Sequence, residues 1–226
     1  MKRFQRMFFW VIPILIITTR SLWAAPIGVP GATLGTNKSA IGPELNFVLD
    51  RDLAGGGEVE SVQAYAKGEI GLTDRVDLNL RVGFGDFEIK NGNQKINTDT
   101  GPAFGVGFKV TWAAISNTNL KIGSVFQTVR LRAEENNNRR GWSEYDAALG
   151  LYYDAGSQSP RAGEAVLVPY GGVAWSGLDL TGSPAEEKTF GVFMGLLAKI
   201  GGNFHVGLEL RFPEQTSLGL QALFTY

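Results

Sequence analysis

The chain has 226 residues, 44% of them hydrophobic and 19% charged, with a formal net charge of −1 and no cysteine. That balance leaves no basic face for nucleic acid, and the missing cysteine excludes a disulfide scaffold, a thiolate nucleophile or metal site, and a lipid acceptor at a processed N-terminus. Thirty glycines, together with apolar residues that alternate rather than recur at helical period, point to an all-β chain, and beyond the first residues no apolar run is long enough for a transmembrane helix.

Lys2, Arg3 and Arg6 precede an apolar run at 7–19 (MFFWVIPILIITT), too short to span a bilayer comfortably, which is followed by Arg20 and by small residues in SLWAA. This is the pattern of an export leader, and a cut after Ala24 keeps Pro26 off the position directly behind it. Residues 1–24 therefore read as a signal peptide, leaving about 200 residues, enough for one domain. Residues 25–40 carry Gly and Pro without period and read as an irregular periplasmic lead-in, with a small plug as the alternative.

From Ile41 alternation takes over. In IGPELNFVLD, Ile41, Leu45, Phe47 and Leu49 share one face and Glu44 and Asn46 the other; Pro43 is tolerable near a strand start. SVQAYAKGEIGL and VDLNLRVGF, joined by TDR, form the clearest hairpin: Val62, Ile70, Val76, Leu80 and Phe84 face one way, Lys67, Glu69, Asp77 and Arg81 the other. DRDLAGGGEVE and the polar stretch 86–101 read as loops. PAFGVGFKVTW sets Lys109 behind Phe104 and Phe108, while LKIGSVFQTVRLR is a weaker strand because Val125 and Val129 lie on the side of Lys121 and Gln127. After EENNNRRG, a loop by composition, WSEYDAALGLYY turns Glu144 and Asp146 away from Tyr145, Leu149 and Tyr153. LVPYGGVAW, FGVFMGLLAK with Lys199, FHVGLELRF with Glu209 and Arg211, and SLGLQALFTY complete ten strands over residues 41–226.

The architecture implied is an all-β, antiparallel up-and-down transmembrane β-barrel, because strands of about ten residues suit a tilted bilayer crossing. The connection around 154–165 is long, and PEQT short, for the sides that parity assigns them, which leaves eight strands or a shifted pairing open. One face of the strands is nearly free of charge. The other carries Glu44, Glu69, Asp77, Glu144, Asp146 and Glu209 against Lys67, Arg81, Lys109, Lys121, Lys199 and Arg211. A soluble sandwich turns such charges to water; a barrel turns them into its lumen, where opposite signs pair and largely close it. Aromatic residues fall into two girdles, Trp112, Tyr153, Phe204 and Tyr226 at the periplasmic strand ends and Phe84, Phe104, Tyr145, Trp175, Phe190 and Phe212 at the external ends.

In the last stretch, SLGLQALFTY, Leu218, Leu220, Phe224 and Tyr226 share one face and the chain stops on an aromatic. This ending resembles the C-terminal signature of Gram-negative outer-membrane β-barrel proteins, and the whole pattern is similar to small barrels of the OmpA-like and OmpW-like class. The resemblance implies a monomeric or weakly associated barrel, inserted by the barrel-assembly machinery into outer-membrane lipid. It implies no particular activity, since that fold carries channels, adhesins, anchors and enzymes.

The functional expectation is a structural or surface-interaction role, with a narrow porin-like channel as the alternative and an outer-membrane enzyme as a weak third. Omptin proteases resemble the chain in strand number but use paired acids and an Asp–His couple at the external rim. His205, the only histidine, follows the IGGN turn at the opposite end, so no catalytic residue is assigned, and no metal or cofactor either. Asp50, Asp52, Glu58 and Glu60 read as solvated loop charges before a cation site, and Arg139 and Arg140 as residues able to meet lipid phosphates. GFGDFE and the glycines at 55–57 open no helix and are loop glycines rather than phosphate loops. No ligand or solute is legible.

Overall fold

The computed structural model describes residues 26–53, 56–92, 94–135, 138–154, 164–181, 187–213 and 215–226. The expected leader, residues 1–24, lies outside the described residues, as does Gly55. The strands are β1 (Ser39–Arg51), β2 (Glu58–Thr73), β3 (Val76–Asn91), β4 (Gln94–Asn97), β5 (Gly101–Ala114), β6 (Leu120–Glu135), β7 (Asn138–Tyr153), β8 (Ala165–Leu180), β9 (Glu187–Ile200), β10 (Phe204–Pro213) and β11 (Gln215–Thr225). All but β4 join one antiparallel ring, closed by β1–β11 on one side and β2–β3 on the other; β4 pairs only with the end of β3. Closure leaves the ring no unpaired edge.

The period-two pattern explains which way each side chain points. Along β2 the buried positions Val59, Ser61, Gln63, Tyr65, Lys67 and Glu69 alternate with outward Val62, Ala64, Ala66 and Ile70. The exposed large apolar residues form a belt around the ring, from Ile41 and Leu45 through Val82, Phe108, Leu149, Val173 and Met194 to Leu208 and Leu220. Phe84, Phe104, Tyr145, Trp175 and Phe190 point outward at its far edge, and Trp112, Tyr153, Phe204 and Tyr226 at its near edge, where β1 begins and β11 finishes. Water is a poor solvent for a continuous band of this kind, and a hydrocarbon layer is a good one.

The ring has ten strands in straightforward pairing. β7 and β8 run in register from Trp142 opposite Leu180 to Tyr152 opposite Tyr170, and the described residues that flank their connection, Asp154 and Glu164, lie at the near end, where the Gly201 amide donates to the Glu164 carbonyl at 3.1 Å. Strands run further than polarity suggested. The stretch 86–101 holds the far half of β3 and its hairpin with β4, and EENNNRRG holds the ends of β6 and β7, with Glu135 opposite Asn138. Beyond the apolar belt the outward positions become Asp86, Glu88 and Lys90, but backbone pairing continues because cross-strand partners are still at hand; Lys90 meets Glu60 at 2.5 Å and Lys95 meets Glu88 at 2.8 Å.

Residues 26–38 correct the lead-in reading. They are irregular, as expected, but they run up inside the near half of the barrel as a plug, with Ile27 and Val29 fully buried, and β1 starts at Ser39 rather than Ile41. The physical reason is apolar filling: Ile27 and Val29 pack with Val125, Ala148, Tyr152, Tyr170 and Phe193, which point into the lumen.

Candidate functional site

The plug is tied to the wall by its backbone. At its foot, Gly35 and Asn37 adopt positive φ (82° and 62°) and turn the chain into β1, and the Gly35 carbonyl sits 1.9 Å from where a Cβ on Gly71 would lie, so only glycine fits at 71. Higher up, Asp77 accepts from the amides of Thr33 (2.6 Å) and Leu34 (3.3 Å), and Thr111 Oγ1 accepts from the Ala32 amide at 3.0 Å. Glu209 accepts from the amides of Ile27 (2.6 Å) and Gly28 (2.7 Å) and from the Tyr170 hydroxyl (3.2 Å). The Pro26 carbonyl, at the tip, accepts from Gln127 Nε2 (3.1 Å) and Arg81 Nη2 (3.4 Å). Two of the expected lumen charges, Asp77 and Glu209, thus cap plug amides, and neither has an ion pair among the described residues.

Asp74, in the exposed β2–β3 turn, accepts from the Thr36 hydroxyl (2.7 Å) and amide (3.2 Å), and these bonds hold its carboxyl below the usual carboxylate value. A carboxyl lowered by folding contributes its stability above its unfolded value of 3.8 and loses it as the pH falls through the folded one. Protection of the Thr36 amide against exchange should therefore fall as the pH drops below 3.8, and Asp74→Asn should remove that pH dependence. An unchanged acid response in the variant would mean that the foot is held by something else.

Beside and above the upper part of the plug lies a network of charge. Arg81 Nε meets Glu44 Oε1 at 2.5 Å, Lys67 meets Glu44 at 2.8 Å and Glu69 at 3.0 Å, and Lys109 meets Glu69 at 2.7 Å, a chain of alternating sign with every member buried. Lys67 and Arg81 are direct neighbours across β2 and β3, a like-charged pair that Glu44 on β1 bridges. Arg211 pairs with Asp146 at 2.8 Å, and Gln127 joins the two groups, donating to Asp146 (2.9 Å) and accepting from Arg81 (3.1 Å). Glu144 binds Arg51 (3.1 Å), Gln215 (2.9 Å) and Ser176 (3.3 Å). Arg51 and the amide side chains of Gln127 and Gln215 were not singled out in the sequence, although Gln127 shares its face with Lys121.

The far mouth is filled by an apolar cap that the sequence reading did not anticipate. Trp142, Leu178, Leu131, Val59, Val48 and Phe87 are buried there, and the Phe87 and Trp142 rings sit tilted at 5.8 Å. The Trp142 indole N–H donates to Glu144 Oε2 at 3.3 Å, so the cap rests on the charged layer.

The remaining expected residues lie elsewhere. Lys121 pairs with Asp154 (2.5 Å) at the near mouth and Lys199 is half-buried nearby on β9, so neither joins the central network. His205 is buried at the near end of β10, opposite Lys199, and its ring makes no hydrogen bond among the described residues. Arg139 and Arg140 lie at the far rim, where Arg140 grips Glu135 (2.7 and 2.9 Å) beside an open groove of about 740 Å³. Among the described residues no three His, Asp or Glu side chains converge as metal ligands. Leu220, Phe224 and Tyr226 face outward on the last strand and Leu218 is half-buried beside them.

No protein-family model and no curated protein matches the chain. Among solved structures, it is similar to a loop-deletion variant of OmpT, an outer membrane protein of Vibrio cholerae, at a TM-score of 0.36 and 15% identity, covering 74% of this chain and 54% of that one. It is also similar to the β domain of the Bordetella autotransporter BrkA, at a TM-score of 0.41 and 14% identity, covering 86% of this chain and 99% of that one. The chain thus spans about half the length of the first and nearly all of the second.

Proposed function

We propose that the protein is an outer-membrane β-barrel with a structural or surface-interaction role and a closed lumen. The observation that carries this reading is the filling of the interior from end to end, by the backbone-anchored plug, the paired charges and the apolar cap in turn. The apolar belt between two aromatic girdles supports membrane insertion, with lipid as its surrounding partner. The outward face of the last strand, with Leu220, Phe224 and Tyr226, suits recognition by the barrel-assembly machinery.

A closed hydrogen-bonded ring resists detergent until it is boiled, so the protein should fractionate with outer membranes and shift its gel mobility on heating. In a planar bilayer it should be silent or flicker weakly. Recovery as a soluble periplasmic monomer would refute the location. A large, steady, ion-selective current from the unmodified protein would make it a channel instead.

A further inference from the structure

The outward face of the wall at the far rim is divided by charge. Around β1–β3 it carries Asp52, Glu58, Glu60 and Glu88, and the lysines there, Lys90 and Lys95, are already held by Glu60 and Glu88. On β6 and β7 it carries Arg130, Arg132 and Arg139, all exposed and without an ion pair among the described residues; Arg140, by contrast, is held by Glu135. Arg130 stands directly opposite Phe104, in the row of the aromatic girdle. Arg132 lies two residues further out, about 7 Å along the strand, with Gly141 opposite it. Arg139 is its diagonal neighbour, and at that spacing both guanidinium groups reach one ligand. These two line the open groove of about 740 Å³, a size that suits a small ligand. Pro102 and Gly141 form a low floor, and Thr100, Thr181, Asp99 and Glu134 supply the other polar groups. Guanidinium forks match a phosphate, while carboxylates and hydroxyls match the hydroxyls of a sugar. The same wall continues below as an apolar furrow of about 400 Å³ beside Phe126, Ala147, Leu149 and Trp175. Ala147 is the one small residue in a row that otherwise reads Phe108, Phe126, Trp175 and Phe190, so a gap opens there. Between groove and furrow, Tyr145 is flanked by the small Thr128 and Gly177.

We propose that this wall seats one molecule of a phosphorylated glycolipid, with its phosphate between Arg132 and Arg139, its sugar against Glu134 and the threonine hydroxyls, and an acyl chain in the furrow at Ala147. Arg130, level with the girdle, stands where headgroup and acyl chains join. A plain phospholipid offers the phosphate but no sugar hydroxyls for Glu134 and Asp99, and a neutral glycolipid leaves both guanidinium groups without a counter-charge. The inference deepens the surface role proposed above and rests on the far rim lying in the headgroup layer of the outer leaflet. Loss of the heat shift counts against that membrane reading, whereas an intact barrel without lipid preference counts against this inference alone.

The test uses the barrel purified from membranes into a neutral detergent and freed of bound lipid, with lipid binding read by native mass spectrometry. Diphosphorylated lipid A should bind one to one. It should bind at least about tenfold more tightly than the same lipid stripped of its phosphates, than phosphatidylglycerol, and than soluble glucosamine 6-phosphate. Arg132→Gln combined with Arg139→Gln, checked for an intact heat shift, should weaken lipid A at least about tenfold, because the charge-assisted contacts to phosphate are lost. Lys95→Gln, on the neighbouring hairpin, should leave the affinity unchanged. Ala147→Phe keeps every charge and fills the furrow, so it should weaken lipid A and leave glucosamine 6-phosphate as it was; this variant carries the test should the arginine pair fail to fold. Equal binding of the dephosphorylated lipid, of phosphatidylglycerol or of the sugar phosphate, or a lipid A affinity that either change leaves unmoved, would overturn the inference.

Discussion

Glu44→Ala should cost the barrel on the order of 3–5 kcal/mol, seen as a lower temperature for the gel-mobility shift and a lower urea midpoint after refolding into detergent. The size follows from position. Lys67 and Arg81 face each other across β2 and β3, and Glu44 touches both, at 2.8 Å and 2.5 Å. Without it, Lys67 keeps Glu69 and Gln221, but Arg81, itself buried, keeps only the neutral oxygens of Asn79, Gln127 and Pro26. The neutral Glu44→Gln should cost less, since an amide oxygen still accepts from Arg81. Adding Arg81→Met to Glu44→Gln should return part of the loss, because the expensive species is the unpaired buried charge rather than the missing pair. If Glu44→Ala unfolds with the unmodified protein, the layer is hydrated and the ion pairs contribute little.

The fold was legible in the sequence because a barrel writes its pattern one strand at a time. Alternation in SVQAYAKGEIGL or VDLNLRVGF fixes which face each residue takes, and a one-residue slip would turn Lys67 and Arg81 into the apolar belt, so register follows from pattern. Strand ends were not legible. Past Phe84 or before Trp142 the outward residues become polar and the pattern fades, while the backbone ladder goes on. That truncation hid part of the cap: Phe87, Leu178 and Leu180 lie just outside the apparent strands, while Val48, Tyr65, Val129 and Trp142 stand inside them on the polar face and are its visible part. The plug was hidden for another reason. Its anchoring uses backbone amides, which every sequence has, and only the surplus of acids over the side-chain cations that stay buried with them hints that some carboxylate binds a group of another kind.

Two seals in series make a specific electrical signature. Plug and cap block the lumen at different heights, and for barriers in series the current is set by the larger that remains, so removing either one alone should leave the bilayer trace nearly silent. Deleting residues 26–34 frees Asp77 and Glu209 to take up water, but the apolar constriction around Trp142 still expels it. Trp142→Ala, at a cost of about 3–5 kcal/mol in stability, opens the far mouth and leaves Ile27 and Val29 packed below. Only the combination should give a current, a small one because the ion-paired charges still narrow the path. That current should favour cations, because the deletion takes no side-chain charge from the lumen and leaves six buried carboxylates against five cationic side chains among the described residues. Planar-bilayer recordings of the three variants read this directly. A current of the same size from one single change would show that the other seal does not close, and silence from the pair would mean that the ion-paired network, Arg81 to Lys109, closes the barrel by itself.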